Sequence, residues 1–267
     1  MKRRFLYILI LILSLGLLSL VGIFNVLHNC KSDTYESDTL KVNLEHVENA
    51  KLQQEYWIAT ITVKDMKQVN SAFAHDTFPG KKKQFVSAMA RQNQAIFAVN
   101  GTATGFSEAG IIIRNGVIYR DKVFDCAPLE MRKDGTLFIG EYSKRTAQQI
   151  LEDGALHTWD FCPDLIVNGQ VTNYVERLWF STDRAPRTII GQKEAYEYIF
   201  LVADGRRKDC PGMSYLEAAN ILLELGCSFA YALDGGGSTT LYFKGRVVNH
   251  PSGIIQRPYS DILYFVN

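Results

Sequence analysis

Three stretches of the chain are apolar runs of strand length that end in a carboxamide or carboxylate followed by glycine. They are AIFAVNG (95–101), YIFLVADG (198–205) and FAYALDG (229–235). The last continues into two further glycines and three hydroxyl residues, giving Asp234, Gly235, Gly236, Gly237, Ser238, Thr239 and Thr240 in succession. A tight turn needs only one or two glycines, and within a regular element each costs about 0.5–1 kcal/mol relative to alanine. A triplet therefore signals close approach of another group to the main chain. Successive glycines can turn backbone N–H groups into an anion-holding nest, and the hydroxyls that follow add donors. Neither GxxxxGK[ST] nor GxGxxG occurs, and the triplet leads into a hairpin pattern where a nucleotide loop would lead into a helix. The chemistry indicated is an anion site of another kind.

Arginine supplies the natural partner. Arg187 in APRTIIGQ follows Pro186 at the head of an apolar run, which holds its base rigid. A guanidinium fork suits phosphate oxygens bidentately. Arg257 in IQRPYSD is a weaker candidate of the same type. For any arginine taken alone a surface salt bridge is the commoner role. Likewise Asn-Gly and Asp-Gly taken singly are ordinary turn residues.

The elements that must position these groups are mostly strands. EYWIATITVK (55–64) is rich in β-branched and aromatic residues, and YSDILYFVN closes the chain as a final strand. Asn115-Gly116, Asp134-Gly135, Asn168-Gly169 and, less strictly, Lys244-Gly245 each sit between β runs and predict hairpins. Helices are expected at about 83–92, about 144–152 and after Ser214, whose S-x-x-E spacing to Glu217 is a capping box; Gly226 marks the end of that helix. Continuous apolar runs are what strands buried on both faces look like. Two of the three Asn/Asp-Gly strands follow a predicted helix, as crossover connections in one sheet would. Asn100, Asp204 and Asp234 are thus expected along one edge of a central sheet, where such sheets bind ligands. The fold class is α+β: a single domain with a mixed, largely β core, several hairpins and about three helices.

An uncharged stretch from Phe5 to Leu27 follows Lys2, Arg3 and Arg4. It is long enough to cross a bilayer and longer than the apolar core of a signal peptide. The expectation is a single-pass anchor over 1–28, a polar tether over 29–39 and a domain over 40–267. The basic residues put the amino terminus in the cytoplasm and the domain outside. The formal charge of the whole chain is only +1, so there is no electrostatic case for a nucleic-acid partner. Export permits disulfides. Cys126, Cys162, Cys210 and Cys227 allow three pairings, or are simply buried thiols, and no Cys/His metal spacing occurs.

The segments VNG…GIIIRNGVIYRD, PRTIIG, FLVADGR…GMSYLEAANILLELG and YALDGGGSTTLYFKGRVVNHPS…RPYSDILYFV resemble, in order and spacing, the phosphodiester glycosidase family, from about Ile96 to the end. The likeness is nearest to its bacterial exopolysaccharide-related members. Where relatives commonly place Gly or Asp and then an aromatic pair after Asn-Gly, this chain has Thr102 and Ala103. The resemblance implies hydrolysis of the bond between a sugar's anomeric carbon and a phosphodiester, in an envelope or exopolysaccharide glycan. It implies Asp234 as the first-choice carboxylate, Asp204 as the second, and Glu108 as a polar neighbour. Asn100, Gly101, Arg187, Thr188, Gly235, Gly236, Gly237, Ser238, Thr239 and Arg257 would bind the substrate. No cofactor is required by the sequence, although two aspartates could hold a divalent cation and their spacing does not decide it. The alternatives are a glycopolymer-binding protein of the same fold without catalysis, and a phosphodiesterase that breaks P–O.

Overall fold

The computed structural model describes residues 29–267 apart from 79–81, 103, 105–107, 123–126, 141–144, 162, 174 and 176–181. The anchor expected over 5–27 lies outside the described residues, and among those described no helix is long and apolar enough to cross a membrane.

An eight-stranded sheet and a five-stranded sheet face each other across the main core. The larger runs, from edge to edge, through Asn29–Glu36, Leu40–Asn49, Gln54–Val63, Glu197–Ala203, Arg187–Glu194, Phe229–Ala232, Asp164–Val167 and Gln170–Val171. The smaller runs through Arg246–Val247, Leu241–Phe243, Phe97–Asn100, Asp261–Phe265 and Val69–Phe73. The strand YIFLVA shows why its sequence lacks alternation. Tyr198, Phe200 and Val202 point into the core between the sheets, while Ile199, Leu201 and Ala203 point the other way, onto the helix Tyr215–Glu224. In the smaller sheet Phe97 and Val99 enter the shared core, and Ala98 packs with Val86 and Met89 of the helix Val86–Gln92. The layers are helix, sheet, sheet, helix. Phe97, Phe200 and Phe265 meet between the sheets with ring centroids 5.0–5.8 Å apart, contacts worth about 0.5–1.5 kcal/mol each beyond their area.

All three predicted helices form, as Val86–Gln92, Ala147–Glu152 and Tyr215–Glu224. The Ser214 hydroxyl accepts from the Glu217 amide at 3.1 Å, and the Glu217 carboxylate accepts from the Ser214 amide at 2.8 Å. The first helix starts later than expected because Gln84 is bridged to Tyr259 in extended form. All four predicted hairpins are present. At the tightest turns both central residues have positive φ: 50° and 72° at Asn115-Gly116, and 53° and 73° at Asn168-Gly169.

Three expectations are corrected. The sheets are not mixed: every pairing between described strands is antiparallel. Glu197–Ala203 and Phe229–Ala232 do run the same way, but Arg187–Glu194 inserts between them and pairs with both. The three Asn/Asp-Gly strands do not share one sheet, since Phe97–Asn100 belongs to the smaller. Finally, the expected tether is an edge strand, Asn29–Glu36, paired along Lys41–Glu48. Its polarity is that of an exposed edge, and Tyr35 packs on the core. Cys210 and Cys227 are buried free thiols, while Cys126 and Cys162 lie outside the described residues.

Candidate functional site

Although divided between two sheets, the three strand ends still converge. The Asn100 carboxamide is fully buried and joins the sheets. Its Nδ2 donates to the carbonyl of Asp234 at 2.6 Å, while its Oδ1 accepts from the Thr188 hydroxyl at 2.9 Å and the Thr240 amide at 3.2 Å. The Asp234 amide donates back to the Gly101 carbonyl at 3.2 Å. Asn100 and Thr188 therefore hold the site together from beneath.

Gly101 is required by what lies against it. A β-carbon there would stand 2.1 Å from Oδ2 of Asp261. Asp261 is itself buried and paired with the buried Arg114 at 3.2 Å, whose guanidinium lies over the Trp159 ring at 5.2 Å. The Thr102 amide points at the same carboxylate at 3.4 Å. A buried ion pair thus underlies the Asn-Gly turn. Ala103 lies outside the described residues.

Asp234 is the half-buried carboxylate of the site. Burial raises its pKa above the ordinary carboxylate value, and contacts from Tyr259, Ser238, Arg257 and the Gly235 amide oppose that rise. The Tyr259 hydroxyl donates to Oδ2 at 2.7 Å and fixes the rotation of the carboxyl.

Part of the main-chain donor set that the glycine triplet suggests is already used within the fold. Gly236 donates to the Pro186 carbonyl at 2.8 Å, Ser238 to Gly235 and Thr239 to Gly236, each of the latter at 3.2 Å, forming a short 3₁₀ turn. The glycines also provide room. A β-carbon at Gly235 would stand 2.7 Å from the Pro186 carbonyl oxygen. One at Gly236, where φ is +60°, would stand 2.8 Å from Nη2 of Arg206, and one at Gly237 would stand 2.4 Å from Nη2 of Arg257. Both arginines are exposed, and neither has a carboxylate within ion-pair distance among the described residues. Ser238 and Thr239 are buried, and their hydroxyls lack a hydrogen-bond partner of sound geometry; the influence of Ser238 on Asp234 is thus a close electrostatic contact rather than a well-formed bond.

Other expected site residues fall differently. Arg187 is buried and already engaged. Its guanidinium lies 3.7 Å from the Tyr215 ring centroid, Nε donates to the Met213 carbonyl at 3.0 Å, and Nη2 donates to that of Asp183 at 2.7 Å. It stands behind the site as a wall. The fully buried Asp204 carboxylate accepts from Asn249 Nδ2 at 3.0 Å, from the His250 amide at 2.9 Å and from Arg207 at 3.3 Å. Burial raises its pKa against those bonds. Asn249 also donates to the Thr239 carbonyl at 3.3 Å, so Asp204 braces the triplet loop. The Glu108 side chain is 99% exposed, 3.9 Å from Lys122 and within electrostatic reach of Arg120. It joins none of these groups.

Ligand atoms of Glu55, Asp204 and His250 lie within 4.8 Å of one another, a donor set that could hold a metal ion. The group excludes Asp234. Arg207 already bridges Glu55 and Asp204, and His46 Nε2 lies 3.0 Å from Glu55, so the carboxylates have protein partners.

Residues 93–266 match the phosphodiester glycosidase family. The chain belongs to that family. A curated relative, the SPbeta prophage-derived uncharacterized protein YomE of Bacillus subtilis, is 25% identical over 239 residues, 81% of this chain. The chain spans only 37% of that relative's length. Among solved structures, the catalytic domain of zebrafish N-acetylglucosamine-1-phosphodiester alpha-N-acetylglucosaminidase, auto-inhibited by its pro-peptide, superposes with a TM-score of 0.70 at 22% identity, covering 90% of this chain and 88% of that one. A hypothetical protein from Synechocystis gives 0.65 at 13% identity, with 89% and 68% covered. A putative exported protein of Burkholderia pseudomallei gives 0.60 at 14%, with 80% and 74% covered. At these identities the structural likenesses concern the fold.

Sequence reasoning missed Tyr259, Arg206 and the Arg114–Asp261 pair. Tyr259 and Arg206 each adjoin a motif that stood out, RPYSD and ADGR, but the contacts that recruit them span the fold.

Proposed function

We propose that the protein hydrolyses the bond between the anomeric carbon of a sugar and a phosphodiester. The observation that carries this reading is Asp234. It is a half-buried carboxylate held by Tyr259, beside a loop stripped of side chains against which the Arg257 guanidinium lies, in salt-bridge contact with no carboxylate among the described residues. In the reaction water adds to the anomeric carbon as the C–O bond to phosphate breaks. The bonding pair leaves with the phosphate oxygen, and the proton lost by water passes to the Asp234 carboxylate and then to solvent. The products are the reducing sugar and a phosphomonoester. That leaving group is already a weak base, with a second pKa of about 6, so it needs less protonation than the alcohol lost in ordinary glycoside hydrolysis. Arg257 balances its charge, and Asp234 activates water or steadies the developing cation.

Incubating the protein in ¹⁸O-labelled water with an α-N-acetylglucosamine 1-phosphodiester tests the reading. Label in the reducing sugar supports it; label in phosphate, with release of sugar 1-phosphate, identifies a phosphodiesterase. Binding without turnover by folded protein identifies a non-catalytic glycan-binding protein. Asp234→Ala is expected to abolish turnover while the fold persists.

We further place this activity outside the cytoplasm on an envelope or exopolysaccharide glycan. The support is the apolar run 5–27 after Lys2, Arg3 and Arg4. Membrane fractionation with protease added to intact cells checks it: a domain protected from protease would refute export.

A further inference from the structure

We propose that Arg206 is a specificity-determining residue that receives the phosphate opposite Arg257 and favours phosphodiester substrates over glycosides with neutral leaving groups. This rests on the reading of Asp234 above and adds a residue to it.

The first support is position. Gly236 and Gly237 are adjacent, and a β-carbon on either would collide with a different guanidinium: Arg206 at 2.8 Å on one, Arg257 at 2.4 Å on the other. Two side chains from distant parts of the chain are thus admitted to one short turn. The second is charge. Arg114, Arg132, Arg145, Arg184 and Arg207 are each paired with a carboxylate, whereas Arg206 and Arg257 are not so paired among the described residues. Two guanidiniums brought to one turn, neither in salt-bridge contact with a carboxylate among the described residues, keep donors for an anion, although the charge of Arg257 is felt by Asp234.

The third support is backbone. Arg206 has φ of +62°, the left-handed region that a residue with a β-carbon seldom occupies. The conformation is imposed from both sides. Gly205 is packed so tightly that a β-carbon would lie 2.8 Å from the Gly212 α-carbon, the Pro186 nitrogen and the Pro211 oxygen. The Arg206 amide donates to the Pro211 carbonyl at 3.1 Å, and Arg207 and Cys210 exchange backbone bonds at 3.0 and 3.2 Å. Asp204, just before the loop, ties it through Asn249 to Thr239. Glycine would be the easier residue here. Arginine at this position is therefore informative.

The chemistry gives the pair its effect. A phosphodiester carries one negative charge, and the departing phosphomonoester approaches two. Cations fixed beside it gain interaction energy as the C–O bond breaks, and that gain lowers the barrier. An alcohol leaving group, protonated as it departs, offers no such gain.

Arg206→Gly removes the side chain while suiting the backbone, so the variant is expected to melt no lower than the parent. The kcat/KM for a methyl phosphodiester of α-N-acetylglucosamine is expected to fall at least tenfold. The kcat/KM for the methyl α-glycoside, whose alcohol is protonated as it leaves, should fall much less, so that the ratio of the two drops at least fivefold. Arg206→Lys should recover part of the ratio. An unchanged ratio overturns the assignment. If the parent turns over neither compound, the glycosidase reading fails, and binding of inorganic phosphate by calorimetry decides Arg206 separately. Weakening by fivefold or more in Arg206→Gly upholds the anion site, and equal affinity refutes it.

Discussion

Two glycines of the triplet, two residues apart, are expected to respond to alanine in opposite ways, and the contrast tests what the triplet is for. At Gly235 the new β-carbon would stand 2.7 Å from the Pro186 carbonyl oxygen, which is main chain; Gly236 donates to the same oxygen at 2.8 Å. Neither side can give without moving a strand, so Gly235→Ala carries an overpacking cost of about 1–3 kcal/mol. At Gly237 the collision is with Arg257, 2.4 Å to Nη2, 2.7 Å to Cζ and 3.0 Å to Nε, the far end of an exposed and flexible side chain. Gly237 is not among the glycines with positive φ, so alanine fits the backbone and restricts the unfolded chain, a gain of about 0.4–1 kcal/mol. Gly237→Ala should therefore melt at or slightly above the parent. It should nevertheless displace Arg257. Loss of one charge-assisted hydrogen bond, about 1.5–3 kcal/mol, translates into a fall of about 10- to 150-fold in kcat/KM on the phosphodiester. Thermal melts of both variants, with initial rates on the N-acetylglucosamine phosphodiester, complete the test. A Gly237→Ala protein with parental activity, or one destabilised as much as Gly235→Ala, would refute the claim that the triplet exists to admit guanidiniums.

Tyr259→Phe removes the 2.7 Å donor that favours ionised Asp234, so the acid limb of the kcat/KM profile should move to higher pH; an unmoved limb would exclude Asp234 as the titrating group. Asp261→Asn leaves the buried Arg114 without its carboxylate, and denaturant melts should register a loss of about 3–5 kcal/mol. His157 is buried beside Arg114, and its pKa is pushed down to about 3 from 6.5. The native protein binds fewer protons there than the unfolded chain, so stability falls as pH drops from 6.5 toward 3, by about 3 kcal/mol at pH 4.5. His157→Gln should flatten that slope. Asp160 has the opposite sign, since burial lifts its pKa from 3.8 to about 6. Its ionisation costs stability as pH rises through that window, and Asp160→Asn should gain most against the parent near pH 8.

What was legible in the sequence was local. Asn115-Gly116 and Asn168-Gly169 announce hairpins because positive φ at both central residues is a property of two residues alone. Ser214 and Glu217 announce a helix start for the same reason. The unbroken apolar run 198–203 announced burial on two faces, and both faces are covered. Partnership was not legible. Nothing in AIFAVNG distinguishes a strand of the larger sheet from one of the smaller, because pairing is decided by residues more than a hundred positions away. Arg187 looked like a phosphate ligand because proline and an apolar run made its base rigid. The same rigidity serves to lay it on Tyr215, and sequence does not disclose which face a guanidinium turns to. Glu108 illustrates a different point. As a carboxylate between two motifs it was close in sequence to Asn100 and distant in environment.

The placement of the site at the join of two sheets has a physical rationale. A strand end inside a single sheet presents its turn amides to its neighbours. Here Asn100 comes from one sheet and Asp234 from the other, and one carboxamide satisfies acceptor and donors from both at 2.6–3.2 Å. With the sheet ends joined from beneath, the turns above them need not pack against each other, and the glycines keep them open to side chains arriving from elsewhere. Arg206 comes from the loop after Glu197–Ala203 and Arg257 from the loop before Asp261–Phe265, one from each sheet. The charge balance of the site therefore depends on the register between sheets. Asn100→Ala should disturb that register and cost activity out of proportion to its loss of stability, because it leaves both guanidiniums intact while shifting the loops that carry them. Rates that fall no further than the folded fraction explains would show that the join is structural only.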